Sequence, residues 1–324
     1  MMFVLCICCT FAHMEQEEYH VPVMLNDCID ALAVKPNGVY VDVTLGGGGH
    51  SAAIRQQLGP EGRLFSFDQD ADAIAHNAAV AEKEQKLRQR GEWTLVRSNF
   101  RYLKNWMRYY GVEQVDGILA DLGVSSHHFD ESQRGFSFRF DAPLDMRMNQ
   151  QARRTAADIV QDSTEQQLTD IFRLYGELKQ ARKLAAAIVK ERQHTAITTT
   201  GVLAQVVAPI LGADRERKDM AKVFQALRIE VNGEMAALQT MLQQATDLLR
   251  PGGRLVVMSY HSLEDRIVKN HIRGGESSDM VRTDIYGHLT TPLKAVGKTL
   301  TPSAEELASN PRSRSAKLRV AEKQ

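Results

Sequence analysis

Four consecutive glycines, Gly46 to Gly49, close the run Val41-Asp42-Val43-Thr44-Leu45, and a helix-compatible stretch opens at His50. Glycine takes φ > 0 without steric cost and lets a ligand approach the main chain. Between a strand and a helix start, such a turn makes a cradle for a nucleotide-type ligand. The next apolar run, Leu64-Phe65-Ser66-Phe67, ends in Asp68. That is about twenty residues on, the spacing of a carboxylate that binds ribose hydroxyls. A second acid, Asp121, ends the run Ile118-Leu119-Ala120. There it could accept the protons of an exocyclic amine, take up developing positive charge and favour a sulfonium cation electrostatically. Its plainer role is to cap the following turn.

The glycine turn departs from the dehydrogenase fingerprint Gly-x-Gly-x-x-Gly, because Ser51 stands where the third glycine would be. No complete Gly-x-x-x-x-Gly-Lys-Ser/Thr phosphate loop is present. The turn therefore suits an adenosine ligand without pyrophosphate, such as S-adenosylmethionine. Phe100, after the third strand candidate, reads either as a core residue or as a face for adenine. In Tyr260-His261-Ser262-Leu263-Glu264-Asp265, Ser262 and Asp265 have the spacing of a helix cap, and His261 with Ser262 could instead touch a nucleotide. No Gly-x-Ser-x-Gly elbow supports a hydrolase. The adjacent pair His127-His128 lacks further ligands at metal spacing, so no metal is expected. Arg134-Gly135-Phe136-Ser137-Phe138 interleaves arginine with aromatics, as single-stranded nucleic-acid recognition does; loop packing accounts for it equally well.

These residues need elements to hold them. Strand signals at Val39–Thr44, Arg63–Phe67, Trp93–Val96 and Val115–Leu119 alternate with helical stretches at 51–58, 72–88 and 102–109. Alternation of this kind makes βαβ units and a parallel sheet, with ligands outside the strands' carboxyl ends. From about 125 to 229 only loop and helix signals appear, among them Leu168, Ile171, Phe172 and Tyr175 at helical spacing. A long amphipathic helix from Met235 to Leu249 stops at Arg250-Pro251-Gly252-Gly253, and Arg254–Ser259 resumes as strand. Residues 273–303 read as a long loop. The expected fold is α/β, a doubly wound, mostly parallel sheet over 14–124 and 231–324, with an inserted helical domain for substrate recognition at 125–230.

The 324 residues carry 40 basic and 40 acidic side chains, which excludes bulk cationic attraction to nucleic acid but allows local patches. One such run spans Arg312 to Lys323, either a patch or a solvated tail. Cys6, Cys8, Cys9 and Cys28 show no zinc spacing, and a disulfide framework is not expected. The apolar stretch 3–12 is shorter than the ~20 residues of a membrane span and lacks the flanks of a signal peptide. Residues 1–13 read as a non-native extension before an ordinary start at Met14, in a cytoplasmic protein with no membrane partner.

Together the motifs resemble one family. The glycine turn ending in Gly-Gly-His, Asp-Leu-Gly-Val-Ser-Ser, Arg-Gly-Phe-Ser-Phe, Pro-Leu-Asp-Met-Arg-Met, Phe-Gln-Ala-Leu-Arg-Ile-Glu-Val-Asn, His-Ser-Leu-Glu-Asp-Arg and Asn-Pro-Arg-Ser-Arg-Ser resemble the ribosomal RNA small subunit methyltransferase H family. Those enzymes methylate N4 of a cytidine in 16S rRNA at the decoding centre. The resemblance covers about 20–322. It implies a class I methyltransferase (Rossmann-like) fold, S-adenosylmethionine as donor and the assembled small subunit as substrate; a monomer or a homodimer is compatible with it. By motif it makes Gly47, Gly48, Gly49, His50, Asp68, Phe100 and Asp121 cofactor contacts, with Asp121 and Ser125 orienting the amine. With rRNA as substrate, Arg134 and Phe136 are expected to hold the RNA, and His261 with Ser262 to contact a nucleotide. Ser125-Ser126-His127-His128 departs from the family's Ser-Ser-Pro-Gln, so His128 stands at the family's cofactor-side glutamine. Tyr175-Gly176-Glu177-Leu178 replaces Tyr-Gly-Glu-Glu, read as a packing change. The competing readings are a nucleotide-dependent oxidoreductase and a non-catalytic ribosome-assembly factor on the same scaffold.

Overall fold

A computed structural model of the chain describes residues 22–85, 91–123, 132–212, 216–274 and 291–324. Ser125, His127, His128 and the extension 1–13 lie outside the described residues. The chain runs α1 (Leu25–Leu32), β1 (Val39–Asp42), α2 (Gly49–Gln57), β2 (Arg63–Asp68), α3 (Ala71–Gln85), β3 (Glu92–Arg97), α4 (Leu103–Tyr109) and β4 (Val115–Asp121). A helical block follows: α5 (Ala156–Asp162), α6 (Glu165–Leu174), α7 (Ala181–Glu191), α8 (Thr200–Val207) and α9 (Glu216–Asn232). Then come α10 (Glu234–Leu248), β5 (Leu249–Ser259), α11 (Ser262–Gly274), β6 (Leu293–Ala295), α12 (Ala304–Ser309) and β7 (Lys317–Lys323).

The sheet has seven strands in the order β3-β2-β1-β4-β5-β7-β6. The first five are parallel, and β7 pairs antiparallel with both β5 and β6. This is the mostly parallel, doubly wound α/β sheet expected from the sequence. Its central strands are apolar in both parities because helices cover both faces. Val41, Phe65, Ile118 and Val257 pack on one face with α4, α10 and α11. Tyr40, Leu64, Leu119 and Met258 pack on the other with α1 and α2. The chain order reverses between β1 and β4, which opens a crevice at their carboxyl ends.

Three expectations about the second half are corrected. Pro251-Gly252-Gly253 does not precede the strand but forms an irregularity inside β5, where the register passes from Val115↔Leu249 to Gly117↔Arg254. Gly252 takes φ 78 there, and the extra residues are accommodated as in a bulge. The stretch 273–303, read as loop, contributes β6. From Lys317 on, the basic run is neither a free tail nor a free patch. Lys317 and Arg319 of β7 reach Asp265 on α11, at 3.2 and 2.7 Å, and Lys323 Nζ donates to the Thr246 carbonyl.

The helical block has its own core, in which Leu168, Ile171, Phe172, Leu184, Ala185 and Ile188 are buried at the expected helical spacing. Each large apolar side chain buried there stabilises the block by roughly 1.5–3 kcal/mol. Leu178 lies in this core, in keeping with a packing change at that position. Residue 230 falls within α9, which continues to Asn232 before Gly233 (φ 58) turns the chain into α10.

Candidate active site

The cleft at the strand ends is lined by Gly46–Gly49, His50, Asp68, Phe100 and Asp121, with Thr44, Gln69, Asn99, Met148 and Tyr260. The sequence-predicted residues Gly47, Gly48, Gly49, His50, Asp68, Phe100 and Asp121 thus converge, because they follow different parallel strands that end at one rim.

The glycine turn is fixed sterically. Gly48 has φ 83, and a Cβ there would lie 1.9 Å from Asn77 Oδ1. A Cβ on Gly49 would lie 2.1 Å from Pro22 Cγ. The buried Asn77 amide donates to the Gly46 and Ala73 carbonyls, tying the turn to α3. Asp68 accepts the Gly46 N–H through Oδ2 and the Asp70 N–H through Oδ1, both at 2.9 Å. These bonds aim a half-buried carboxylate into the cleft next to the turn, where remaining lone pairs can accept hydroxyl donors.

Ser51 has a structural reason to be serine. Its hydroxyl donates to Asp42 Oδ2 at 2.6 Å and lies 2.7 Å from Ser66 Oγ, itself bonded to Trp93 Nε1. Asp42, buried beneath the rim, also accepts the Thr44 N–H and hydroxyl. Thr44 Oγ1 in turn accepts the Asp121 N–H at 2.7 Å. This chain locks the ends of β1 and β4 together.

Asp121 faces the cleft with 22% of its side chain exposed. Tyr260 donates its phenolic O–H to Oδ1 at 2.8 Å, and His50 Nδ1 lies 3.7 Å from Oδ2. His50 Nε2 is 3.2 Å from the Val23 carbonyl, which can only accept, so Nε2 carries a proton there and Nδ1 is the ring atom facing Asp121. Burial pushes the Asp121 carboxyl up to about 6, against the opposing pull of His50 and Tyr260. Burial and the Asp121 carboxylate push the Tyr260 phenol up as well, so it stays a donor. An acid poised near neutrality, beside a cradle for an adenosine ligand, suits proton transfer.

The expected RNA contacts Arg134 and Phe136 are placed elsewhere. Arg134 is 8% exposed and forms an ion pair with the buried Asp70, while donating to the Arg147 and Met148 carbonyls at 2.9 and 3.0 Å. Phe136 is in the core of the helical block. An arginine–aromatic motif looks the same in sequence whether it meets a nucleic acid or a buried acid; only the position of Asp70 decides. His261 and Ser262 do not line the cleft. The α11 end is held by Glu264, whose carboxylate accepts the Tyr260 and His261 N–H groups. Ser262 donates to Glu177 at 2.8 Å, and Asp265 is spent on β7. The cap expected from Ser262 and Asp265 is therefore replaced by Glu264.

Tyr260, Thr44, Asp42 and Asn77 do not stand out in the sequence as site residues. Tyr260 has a signal, being the first residue after the last parallel strand; the others tie the rim together through bonds to neighbouring residues and have none.

The MraW methylase family matches residues 17–324. A protein named ribosomal RNA small subunit methyltransferase H from Bacteroides thetaiotaomicron is 56% identical over 313 residues, covering 96% of this chain and 100% of that one. One of the same name from Phocaeicola vulgatus is 56% identical over 306 residues, covering 94% and 97%. A solved rRNA methylase from Streptococcus thermophilus superposes with a TM-score of 0.39 at 13% identity, covering 94% of this chain and 98% of that one. With a family match that spans nearly its whole length and relatives sharing more than half its residues, the chain belongs to the MraW methylase family.

Proposed function

We propose that this protein transfers a methyl group from S-adenosylmethionine to N4 of a cytidine in small-subunit ribosomal RNA, at the decoding centre of the assembled subunit. The names of the relatives support rRNA of the small subunit as the substrate. The observation that carries the chemistry is Asp121, a cleft-facing acid beside the glycine turn with its proton affinity raised toward neutrality. The site fits the cofactor: the glycine turn, Asp68 as a hydroxyl acceptor and Phe100 line one cleft beside Asp121. Bound there, S-adenosylmethionine supplies an electrophilic methyl group on a sulfonium centre.

The chain's own residues handle the amine. As carboxylate, Asp121 accepts a hydrogen bond from the exocyclic N4 amine, turning its lone pair out of conjugation with the ring. As the new N–C bond forms, the donor's methyl–sulfur bond breaks to leave a neutral thioether, and the amine nitrogen sheds a proton to Asp121. His50 Nδ1 faces the same carboxyl and can share that proton. Tyr260 holds Oδ1, leaving Oδ2 for the amine. Ser125, four residues beyond Asp121 in the sequence, is proposed as a second acceptor for the amine, and His128 as a cofactor contact. The oxidoreductase reading is disfavoured because Ser51 is committed to Asp42 inside the fold.

The test is incubation with labelled S-adenosylmethionine and unmodified small subunits, followed by nucleoside analysis. Label in N4-methylcytidine supports the proposal; label in another nucleoside or none overturns it. Asp68→Ala is expected to weaken cofactor binding by about 1.5–3 kcal/mol, the worth of hydrogen bonds to a charged group. Calorimetry showing unchanged affinity removes Asp68 from the cofactor site. Tyr260→Phe deletes a donor that lowers the Asp121 pKa, so the acid limb of the pH–rate profile should move up by about one unit. A limb that stays in place, or moves down, contradicts the assigned bond.

A further inference from the structure

Among the described residues, several basic side chains are spent within the fold. Arg134 is buried on Asp70, Arg228 on Glu234 at 2.9 Å, and Arg319 and Lys317 on Asp265. The turn between α6 and α7 is different. Arg173, in the last turn of α6, Lys179, and Arg182 and Lys183, in the first turn of α7, are all exposed. None of the four makes an ion pair with a described residue.

The turn is also held firmly and in a definite place. Glu177, at φ 49, accepts the Ser262 hydroxyl and pairs with Arg266 at 3.0 Å, both on α11. Gln225 of α9 donates to the Tyr175 carbonyl. The Ser262 hydroxyl and the Arg266 guanidinium hold the Glu177 carboxyl below its ordinary range, so the one acid of the turn stays ionised with its charge already paired to Arg266. Ser262 lies two residues beyond Tyr260, whose hydroxyl reaches Asp121. The unpaired cations therefore flank a turn that α11 ties to the end of β5, where Tyr260 reaches Asp121.

We infer that Arg173, Lys179, Arg182 and Lys183 at the α6–α7 turn form the docking surface for the phosphate backbone of the RNA substrate. The inference rests on the proposed rRNA methylation and reassigns to this turn the RNA contact that the sequence placed at Arg134 and Phe136. The charge complementarity is direct: four unopposed cations in an overall neutral chain meet a polyanion. Each phosphate so neutralised releases condensed counterions, giving a salt slope of about −0.7 to −0.9 per contact. Phosphate contacts position the strand without reading its sequence. They would hold the RNA while one base enters the cleft.

The experiment titrates a fluorescently labelled small-subunit rRNA fragment with wild type and with Lys179→Glu/Arg182→Glu/Lys183→Glu across a range of salt. We expect the triple variant to bind at least about 10-fold more weakly at low salt. Its log–log salt slope should be shallower by about 2–3. In methyl transfer to small subunits its KM rises while kcat and cofactor affinity hold. A control charge reversal at Arg312 and Arg314 leaves the slope as in wild type. Equal slopes and equal KM for the triple variant and wild type overturn the docking surface, even where wild type methylates the subunit normally. Loss of both kcat and cofactor affinity also overturns it, since the turn would then act on the cleft's architecture. Wild type that transfers no methyl group to small subunits refutes the reaction itself, a failure separate from that of the surface.

Discussion

Asp121→Asn is expected to lower the single-turnover rate of methyl transfer by about 10²–10⁴-fold, the range for removing a positioned acid–base group. Cofactor affinity should change much less, because the glycine turn and Asp68 remain. The asparagine oxygen can still accept one bond from the amine or from Tyr260, but it cannot take the proton. In wild type the rate should rise with pH through a midpoint near the folded-state value of about 6, since the carboxylate is the working form. Stability moves the other way. The folded-state pKa lies above the ordinary carboxylate value, so Asp121 favours the fold while protonated. That contribution is present at low pH and is lost as pH rises through about 6. Asp121→Asn should therefore raise the Tm relative to wild type at about pH 8 and have little effect on it near pH 4. A rate equal to wild type, or a Tm difference of the opposite sign, contradicts this role for the carboxylate.

Arg134→Ala is expected to destabilise the protein by about 3–5 kcal/mol, the cost of removing one partner from a buried ion pair. Asp70 is 2% exposed and loses its guanidinium, and the Arg147 and Met148 carbonyls lose donors. Because Arg134 belongs to the loop that enters the helical block and Asp70 opens α3, the damage falls on the seam between that block and the sheet. Asp70→Asn/Arg134→Met should be less destabilised than the sum of the single variants, since the orphaned charge is gone. Denaturant titration of the four proteins measures the coupling. A single variant within about 0.5 kcal/mol of wild type would place Arg134 at the surface and restore it as an RNA contact.

Much of the site is legible in the sequence. Gly46–His50, Asp68, Phe100 and Asp121 fall into one group on sequence grounds, because parallel strands end on one rim and polar or glycine residues interrupt apolar runs at their ends. The helical block is legible from the periodicity of Leu168, Ile171, Phe172 and Leu184. β7 is obscured because a strand at the antiparallel side of the sheet can hold Lys317 and Arg319 against an acid on a neighbouring helix. β6 is three residues long, too short for its periodicity to show.

Local rules govern turns, strands and helices, so the sequence by itself determined the α/β architecture and the residues facing the cofactor cleft. Pairing between distant residues is invisible to spacing, and tertiary structure alone decided it. Tyr260 was joined to Asp121 across 139 positions, Arg134 was withdrawn to Asp70 across 64, and Ser262 was turned to Glu177 across 85. A buried charge must find an opposite charge and a buried hydroxyl an acceptor. Which partner each one reaches depends on how the sheet and the helical block pack together.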